Sequence, residues 1–281
     1  MFTLNCNGRL LVVDNPLVMG IINATPDSFY KESRFQGEDK ILEQAERMLL
    51  DGADILDIGG QSTRPGSEKV SEEEELKRVI DGITVVQKRL PQAFISIDTY
   101  YAKVARQAVD AGACIINDIS GGSMDENMLS TVASLNVPYV LMHMRGTPDI
   151  MQHDTNYKNV TLDVLDFLIE KKNELHKTGI HDVIIDPGFG FGKTISQNFE
   201  LLRNLRVYKM LQCPIILGIS RKSTIYKTLG ITADDALNGS TVLHTIGLFN
   251  GADILRVHDV KEARELVKLV TEYGIANGNR Q

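Results

Sequence analysis

The sequence predicts a single (β/α)8 barrel, and three observations carry that expectation. Eight short apolar runs, each ending in polar or charged residues, alternate with stretches of helical periodicity. A strand buried on both faces reads as a nearly continuous apolar run, as in parallel sheets covered by helices. The helix endings Asp51-Gly52-Ala53-Asp54, Ala111-Gly112-Ala113-Cys114 and Asn250-Gly251-Ala252-Asp253 each lead straight into the next run, because glycine stops a helix in the left-handed conformation at low cost. The length of 281 residues lies near the roughly 250 typical of one such barrel. Variable spacing argues against a solenoid, and eight runs favour a closed barrel over an open sheet. No Pro/Gly/Ser-rich linker divides the chain, so residues 1–281 read as one domain.

The elements follow in order. Asn7-Gly8 favours a type I′ turn, so Thr3–Cys6 and Arg9–Val13 predict an N-terminal hairpin within residues 1–16, placed to plug one barrel end. The runs end at Val18–Ile22 before Asn23, Ile55–Ile58 before Gly59, Phe94–Ile97 before Asp98, and Cys114–Ile116 before Asn117-Asp118. The others end at Tyr139–Met142 before His143, Val183–Ile185 before Asp186, Ile215–Ile219 before Ser220-Arg221-Lys222, and Ile254-Leu255 before Arg256-Val257-His258-Asp259. Between them, Ile41, Leu42, Ala45, Met48 and Leu49 form one helical stripe. Ser71-Glu72-Glu73-Glu74 reads as a capping box, and Thr232-Ala233-Asp234-Asp235 predicts a second helix start. Right-handed crossovers put all strand C-termini at one end, where such barrels carry their sites.

Composition narrows the partners. Hydrophobic residues make up 43% and charged residues 24%, ordinary for a globular chain. A formal charge of -7 argues against nucleic acid as a partner. No apolar stretch approaches the roughly 18 residues of a membrane span, and no signal peptide precedes the first strand. Cys6, Cys114 and Cys213 have no metal-binding spacing and read as buried free thiols. The expectation is a cytoplasmic enzyme.

The run ends carry the candidate chemistry. Asp98, Asn117 and Asp186 follow three runs and would sit at one depth in the barrel mouth. Two carboxylates and an amide suit a heterocycle edge rich in N–H donors, while each alone also fits a helix N-cap. Gly59-Gly60-Gln61-Ser62-Thr63-Arg64-Pro65-Gly66 reads as a shaped lid in which Thr63 and Arg64 could hold an anion. Lys222 could donate to a heterocycle. Period-2 alternation puts Arg256 and His258 on one face, a positive pair like the phosphate sites of barrels. Gly188–Lys193 is glycine-rich without P-loop spacing, and Phe191 would line a pocket. His143 reads as a packed histidine.

Taken together, Asn23-Ala24-Thr25-Pro26-Asp27-Ser28-Phe29, Ser62–Gly66, Ser96-Ile97-Asp98-Thr99, Asn117–Gly122, Met142–Gly146, Asp186-Pro187-Gly188, Ser220–Ser223 and Arg256–Asp259 resemble the dihydropteroate synthase family, in the family's order, from Met19 to Val260. The resemblance implies condensation of 6-hydroxymethyl-7,8-dihydropterin diphosphate with 4-aminobenzoate, giving 7,8-dihydropteroate and diphosphate. It implies pterin binding by Asp98, Asn117, Asp186 and Lys222, lined by Met142 and Gly218. It implies that Asn23, Arg256 and His258 hold the diphosphate, with Mg2+ at Asn23. Phe29, Thr63, Arg64, Pro65, Phe191, Lys222 and Ser223 would form the aminobenzoate site. Catalysis would rest on Asp98, Asp186, Lys222, Arg256 and His258, and a homodimer is expected. The chain departs from the family after Phe29, reading Tyr30-Lys31-Glu32-Ser33-Arg34 where relatives often carry Ser-Asp-Gly-Gly. The alternatives are a pterin-binding methyltransferase domain and a catalytically silent pterin-binding paralogue.

Overall fold

The structure, a computed structural model, describes residues 1–24, 34–61, 69–148, 151 and 154–274, with residues 34–38 described as helix backbone only. Strands β1 (Phe2–Cys6) and β2 (Arg9–Val13) form the antiparallel hairpin, in register from Phe2↔Val13 to Cys6↔Arg9. Asn7 and Gly8 turn it at φ 53° and 82°, as a type I′ turn requires.

Eight parallel strands make the barrel: β3 (Leu17–Asn23), β4 (Ile55–Gly59), β5 (Phe94–Asp98), β6 (Ile115–Asp118), β7 (Tyr139–Met142), β8 (Val183–Asp186), β9 (Ile216–Leu217) and β10 (Ile254–Val257). Their order is β8-β7-β6-β5-β4-β3-β10-β9. The ring closes through a single parallel bridge, Ile185↔Ile215.

Strand alternation sorts every side chain into one of two environments. Outward residues, among them Val18, Ile22, Leu56, Ile58, Ile97, Leu141 and Leu255, pack on the surrounding helices. Inward residues Met19, Ile55, Ile115, Val140, Ile184, Ile216 and Ile254 form a separate core with Leu4, Cys6, Leu11 and Val13 of the hairpin. The hairpin therefore plugs the N-terminal end of the barrel. Burying each such aliphatic side chain contributes about 1.5–3 kcal/mol. Two residues farther along, the inward positions become Ile21, Asp57, Ser96, Asn117, Met142, Asp186, Gly218 and Arg256. One more step of two reaches Asn23, Asp98 and His258.

Two helix starts differ from the sequence expectation. Ser71 caps the helix Glu72–Arg89 by accepting from the Glu74 N–H at 3.3 Å, but the Glu74 carboxylate pairs with Arg78 at 3.1 Å, so only half of the capping box forms. The helix after Thr232 begins at Leu237, not at Thr232. Thr232 donates to Asp235 at 2.6 Å, and the carbonyls of Ala233 and Asp234 accept from Arg221, which ties that segment down as a turn. The three cysteines are buried and free.

Candidate active site

The polar groups at the C-terminal end converge on Arg256. Its Nε donates to Asp57 Oδ2 and its Nη2 to Asp98 Oδ2, both at 2.6 Å. Asp57 Oδ2 also accepts from the Asn117 amide at 3.0 Å. Asp57 is fully buried. It sits inside the apolar run Ile55-Leu56-Asp57-Ile58, where sequence reasoning passed over it. A charge at the inward position two residues beyond Ile55 was the available signal.

Asp98 is not a helix cap: the helix Ala102–Ala111 starts three residues beyond Thr99, and the Ala102 N–H is taken by Asp125. Burial pushes the Asp98 pKa up to about 7, with Arg256 opposing and Asp57 adding to the rise. Asp186 accepts from the Gly188 N–H at 2.7 Å, and burial raises its pKa against the pull of Lys222. Lys222 Nζ donates to the Phe189 carbonyl at 2.5 Å and lies 4.5 Å from the centre of the Phe191 ring. Burial lowers the Lys222 pKa to about 8, with Asp186 opposing. At Gly218 a Cβ would stand 3.8 Å from both Asp186 Oδ2 and Lys222 Nζ, so glycine leaves the floor between them open. Phe191 and Met142 pack with Tyr100, Ile119 and Met151 as an apolar wall.

The structure thus brings Asp98, Asn117, Met142, Asp186, Phe191, Gly218, Lys222 and Arg256 together. It turns Arg256 and His258 to different partners: Arg256 faces the two aspartates, while His258 Nδ1 lies 3.1 Å from Ser220 Oγ. Asn23 is half-buried at the end of β3, level with Gly59. Ser223 opens the helix Ser223–Leu229 and is half-buried. Phe29, Thr63, Arg64 and Pro65, with the departure at residues 30–33, lie outside the described residues.

Several motif residues act through others. Arg221, at φ 53°, pairs with both oxygens of Asp259 at 2.8 and 2.7 Å, joining the exits of β9 and β10 and turning Lys222 inward. Asp118 faces outward and accepts from the N–H groups of Ser120 and Gly122 and from the Tyr139 hydroxyl, fixing the loop after β6. Lys193 is buried and donates to the carbonyls of Gly188 and Phe191 at 2.9 and 3.0 Å, and it lies 3.0 Å from His143 Nδ1. Burial lowers the His143 pKa to about 2, so a neutral ring receives the lysine, as a packed histidine does. Gln61 holds the base of the second loop, donating to the Tyr100 hydroxyl at 2.6 Å and accepting from the Val70 N–H at 3.1 Å. Lys193 and Gln61 were not singled out by sequence.

Chemically, the mouth offers three carboxyls (Asp57, Asp98, Asp186) against two cations (Arg256, Lys222); Asp57 and Asp186 are buried and the other three half-buried. Such a site prefers a neutral ring with several N–H donors, which supplies partners to buried acceptors.

Comparison with known proteins gives the same direction. The family described as pterin binding enzyme matches residues 19–258. The dihydropteroate synthase of Haemophilus influenzae is 42% identical over 268 residues, covering 95% of this chain and 97% of that protein. The crystal structure of the Yersinia pestis dihydropteroate synthase in a sulfonamide drug complex superposes with a TM-score of 0.91 at 38% identity, covering 97% and 99% of the two chains. The Xanthomonas albilineans dihydropteroate synthase in complex with 7,8-dihydropteroate superposes at 0.87 with 36% identity, covering 97% and 98%.

Proposed function

The chain belongs to the dihydropteroate synthase family of pterin-binding enzymes, and from that membership we propose how its residues divide the work. The reaction is a transfer: the bond between the pterin methylene carbon and the diphosphate oxygen breaks, and a bond to the nitrogen of 4-aminobenzoate forms. The electron pair leaves with diphosphate, and the arylamine loses a proton. The products are 7,8-dihydropteroate, in folate biosynthesis, and diphosphate.

The observation that carries the assignment of roles is the set of buried Asn117 and Asp186 with half-buried Asp98 and Lys222 around the open floor at Gly218. Asp98 and Asp186 accept from the pterin's amino and ring N–H groups, Asn117 adds its amide, and Lys222 donates to a ring acceptor. Met142 and Phe191 cover the ring. Asn23, Arg256 and His258 take the diphosphate, and Thr63, Arg64, Pro65 and Ser223 take the aminobenzoate with Phe191 and Lys222. An arylamine is a weak neutral nucleophile, so the harder task is loosening the C–O bond. Asp98 and Asp186 stabilise positive charge spreading over the pterin, and Arg256 and His258 stabilise the negative charge on the leaving group. This favours a dissociative, SN1-like displacement.

The donor set fits Mg2+. Asn23 offers a neutral amide oxygen at a strand end, and Mg2+ characteristically takes one or two protein oxygens with waters and substrate phosphates. Among the described residues no group of three His, Cys, Asp or Glu is placed for a metal, so the donors suit an ion that shares its coordination with the diphosphate. When bound, it would neutralise charge on the leaving group.

The test is release of diphosphate from the two substrates by the purified protein. We expect release that needs 4-aminobenzoate and Mg2+ together. A protein that binds pterin and releases none would be the silent paralogue. The methyltransferase alternative is set aside by the named relatives.

We propose that the enzyme is a homodimer in the cytoplasm. Among the described residues no helix is long and apolar enough to cross a membrane, and three free thiols fit a reducing compartment. Val242, Ile246 and Phe249 form an exposed stripe on the helix Leu237–Phe249. It adjoins Leu269 and Tyr273, which are 72% and 78% exposed, through the contact of the Phe249 and Tyr273 rings at 5.8 Å. Contiguous exposed apolar residues of this kind mark an interface, here with a second copy. Leu269→Glu together with Val242→Glu should convert the dimer to a folded monomer in light scattering. An unchanged mass would rule this face out.

A further inference from the structure

Asp57 takes no part in the roles assigned above, yet it is the most deeply buried acid at the site and holds two of its residues at once. Its Oδ2 receives the Arg256 Nε at 2.6 Å and the Asn117 amide at 3.0 Å. Its Oδ1 is buried with no hydrogen-bond partner. A carboxyl placed only to complete the packing would have both oxygens paired, whereas this one concentrates its bonds on one side, toward Arg256.

The two ends of the Arg256 guanidinium differ in what they touch. The Nε end is bound to Asp57, which is fully buried and tied to Asn117. The Nη2 end is bound to Asp98, whose side chain is 10% exposed and faces the mouth. Asp98 is also the acid assigned to the pterin's N–H donors. A ring bound to Asp98 competes for the oxygen that now holds Nη2, while Asp57, fully buried, is engaged by Arg256 and Asn117.

We propose that Asp57 is a positioning residue: it holds the Nε end of Arg256 as a fixed pivot while the Nη2 end is exchanged from Asp98 to the diphosphate leaving group. This rests on the reading that Asp98 takes the pterin and Arg256 the diphosphate. Pterin binding and activation of the leaving group are then linked through one side chain. Occupying Asp98 frees the end of Arg256 that the departing diphosphate needs. The pivot keeps the freed guanidinium aimed, since a buried arginine without a fixed end would spread over several rotamers.

Binding of inorganic diphosphate, measured by calorimetry in the presence of Mg2+, tests this apart from turnover. Asp98→Asn removes the competitor for Nη2 and should tighten diphosphate about fivefold. Asp57→Asn removes the pivot and should weaken it about fivefold, although both variants lose one negative charge. Equal tightening in both would show a simple charge effect and overturn the proposal. In turnover, Asp57→Asn should lower kcat roughly 100-fold, the scale of a misplaced catalytic group, and should cost little more in an Arg256→Gln background. Additive losses in the double variant would overturn it too. Should Asp57→Asn not fold, Arg256→Lys carries the test, because one ammonium cannot span both aspartates. Near-normal kcat in Arg256→Lys would exclude a two-ended pivot. Wild-type protein that binds diphosphate with this pattern but releases none from the two substrates would fault the functional reading and leave the pivot standing.

Discussion

Arg256→Ala is expected to lower kcat by about 10²–10³-fold, the cost of removing one preorganised donor from a developing oxyanion. KM for the pterin diphosphate should change far less, because the interaction strengthens as the leaving group departs. Asp98→Ala should show the opposite split, with a raised KM dominating, since on the proposed roles it removes a contact to the ring made before as well as during bond breaking. Steady-state kinetics of the two variants decides the matter. Equal small effects on both constants in both variants would contradict the division of roles.

Removing Arg256 has a second consequence that depends on pH. The guanidinium is paired with both Asp57 and Asp98 at 2.6 Å, and breaking a buried pair by deleting one partner costs about 3–5 kcal/mol. Asp98 already has its pKa raised to about 7 with Arg256 present, and losing the cation raises it further. A carboxyl whose folded pKa exceeds its unfolded value is stabilising when protonated, and that contribution is lost as pH rises through the folded pKa. The variant's deficit in Tm relative to wild type should therefore be larger at pH 8 than at pH 5. A deficit independent of pH would mean that Asp98 does not titrate in response to Arg256.

Much of this site is legible in the sequence because it obeys one rule. Inward positions recur every second residue, so Ile115 leads to Asn117, Ile184 to Asp186 and Ile254 to Arg256, each plug residue pointing to one at the barrel mouth. The polar residue that breaks an apolar run marks the change of layer. Asp57 obeys the same rule from Ile55 but is followed by Ile58, and that further apolar residue makes the run read as unbroken core. Ile58 faces outward against the helices, so the pattern mixes two faces that composition alone does not separate. Lys193 is hidden for another reason: besides the His143 ring fifty residues away, its partners are backbone carbonyls, among them those of Gly188 and Phe191, which carry no sequence signature. The start of the helix Leu237–Phe249 was misplaced because Arg221, twelve residues before Ala233, takes the carbonyls there. Local capping rules do not register so distant a partner.

Gly188→Ala is expected to damage the fold itself. Gly188 has φ +74°, and a Cβ there would lie 1.9 Å from the His143 carbonyl oxygen and 3.1 Å from Lys193 Nζ. The left-handed conformation alone costs a residue with a Cβ about 1–2 kcal/mol. The clash is with backbone, which cannot step aside as a side chain would, and overpacking of a tight site adds typically about 1–3 kcal/mol. The loss should reach about 4 kcal/mol, or roughly 10 °C in Tm for a domain of this size. The same turn carries function. The Gly188 N–H holds Asp186 Oδ1 at 2.7 Å, and the Gly188 carbonyl receives Lys193. Displacing it moves Asp186 and slackens the loop that places Phe191 over Lys222. Protein recovered in folded form should therefore also bind pterin more weakly. Thermal melts with a pterin titration check both expectations, and a variant with unchanged Tm would show that the turn after β8 has room that this geometry denies it.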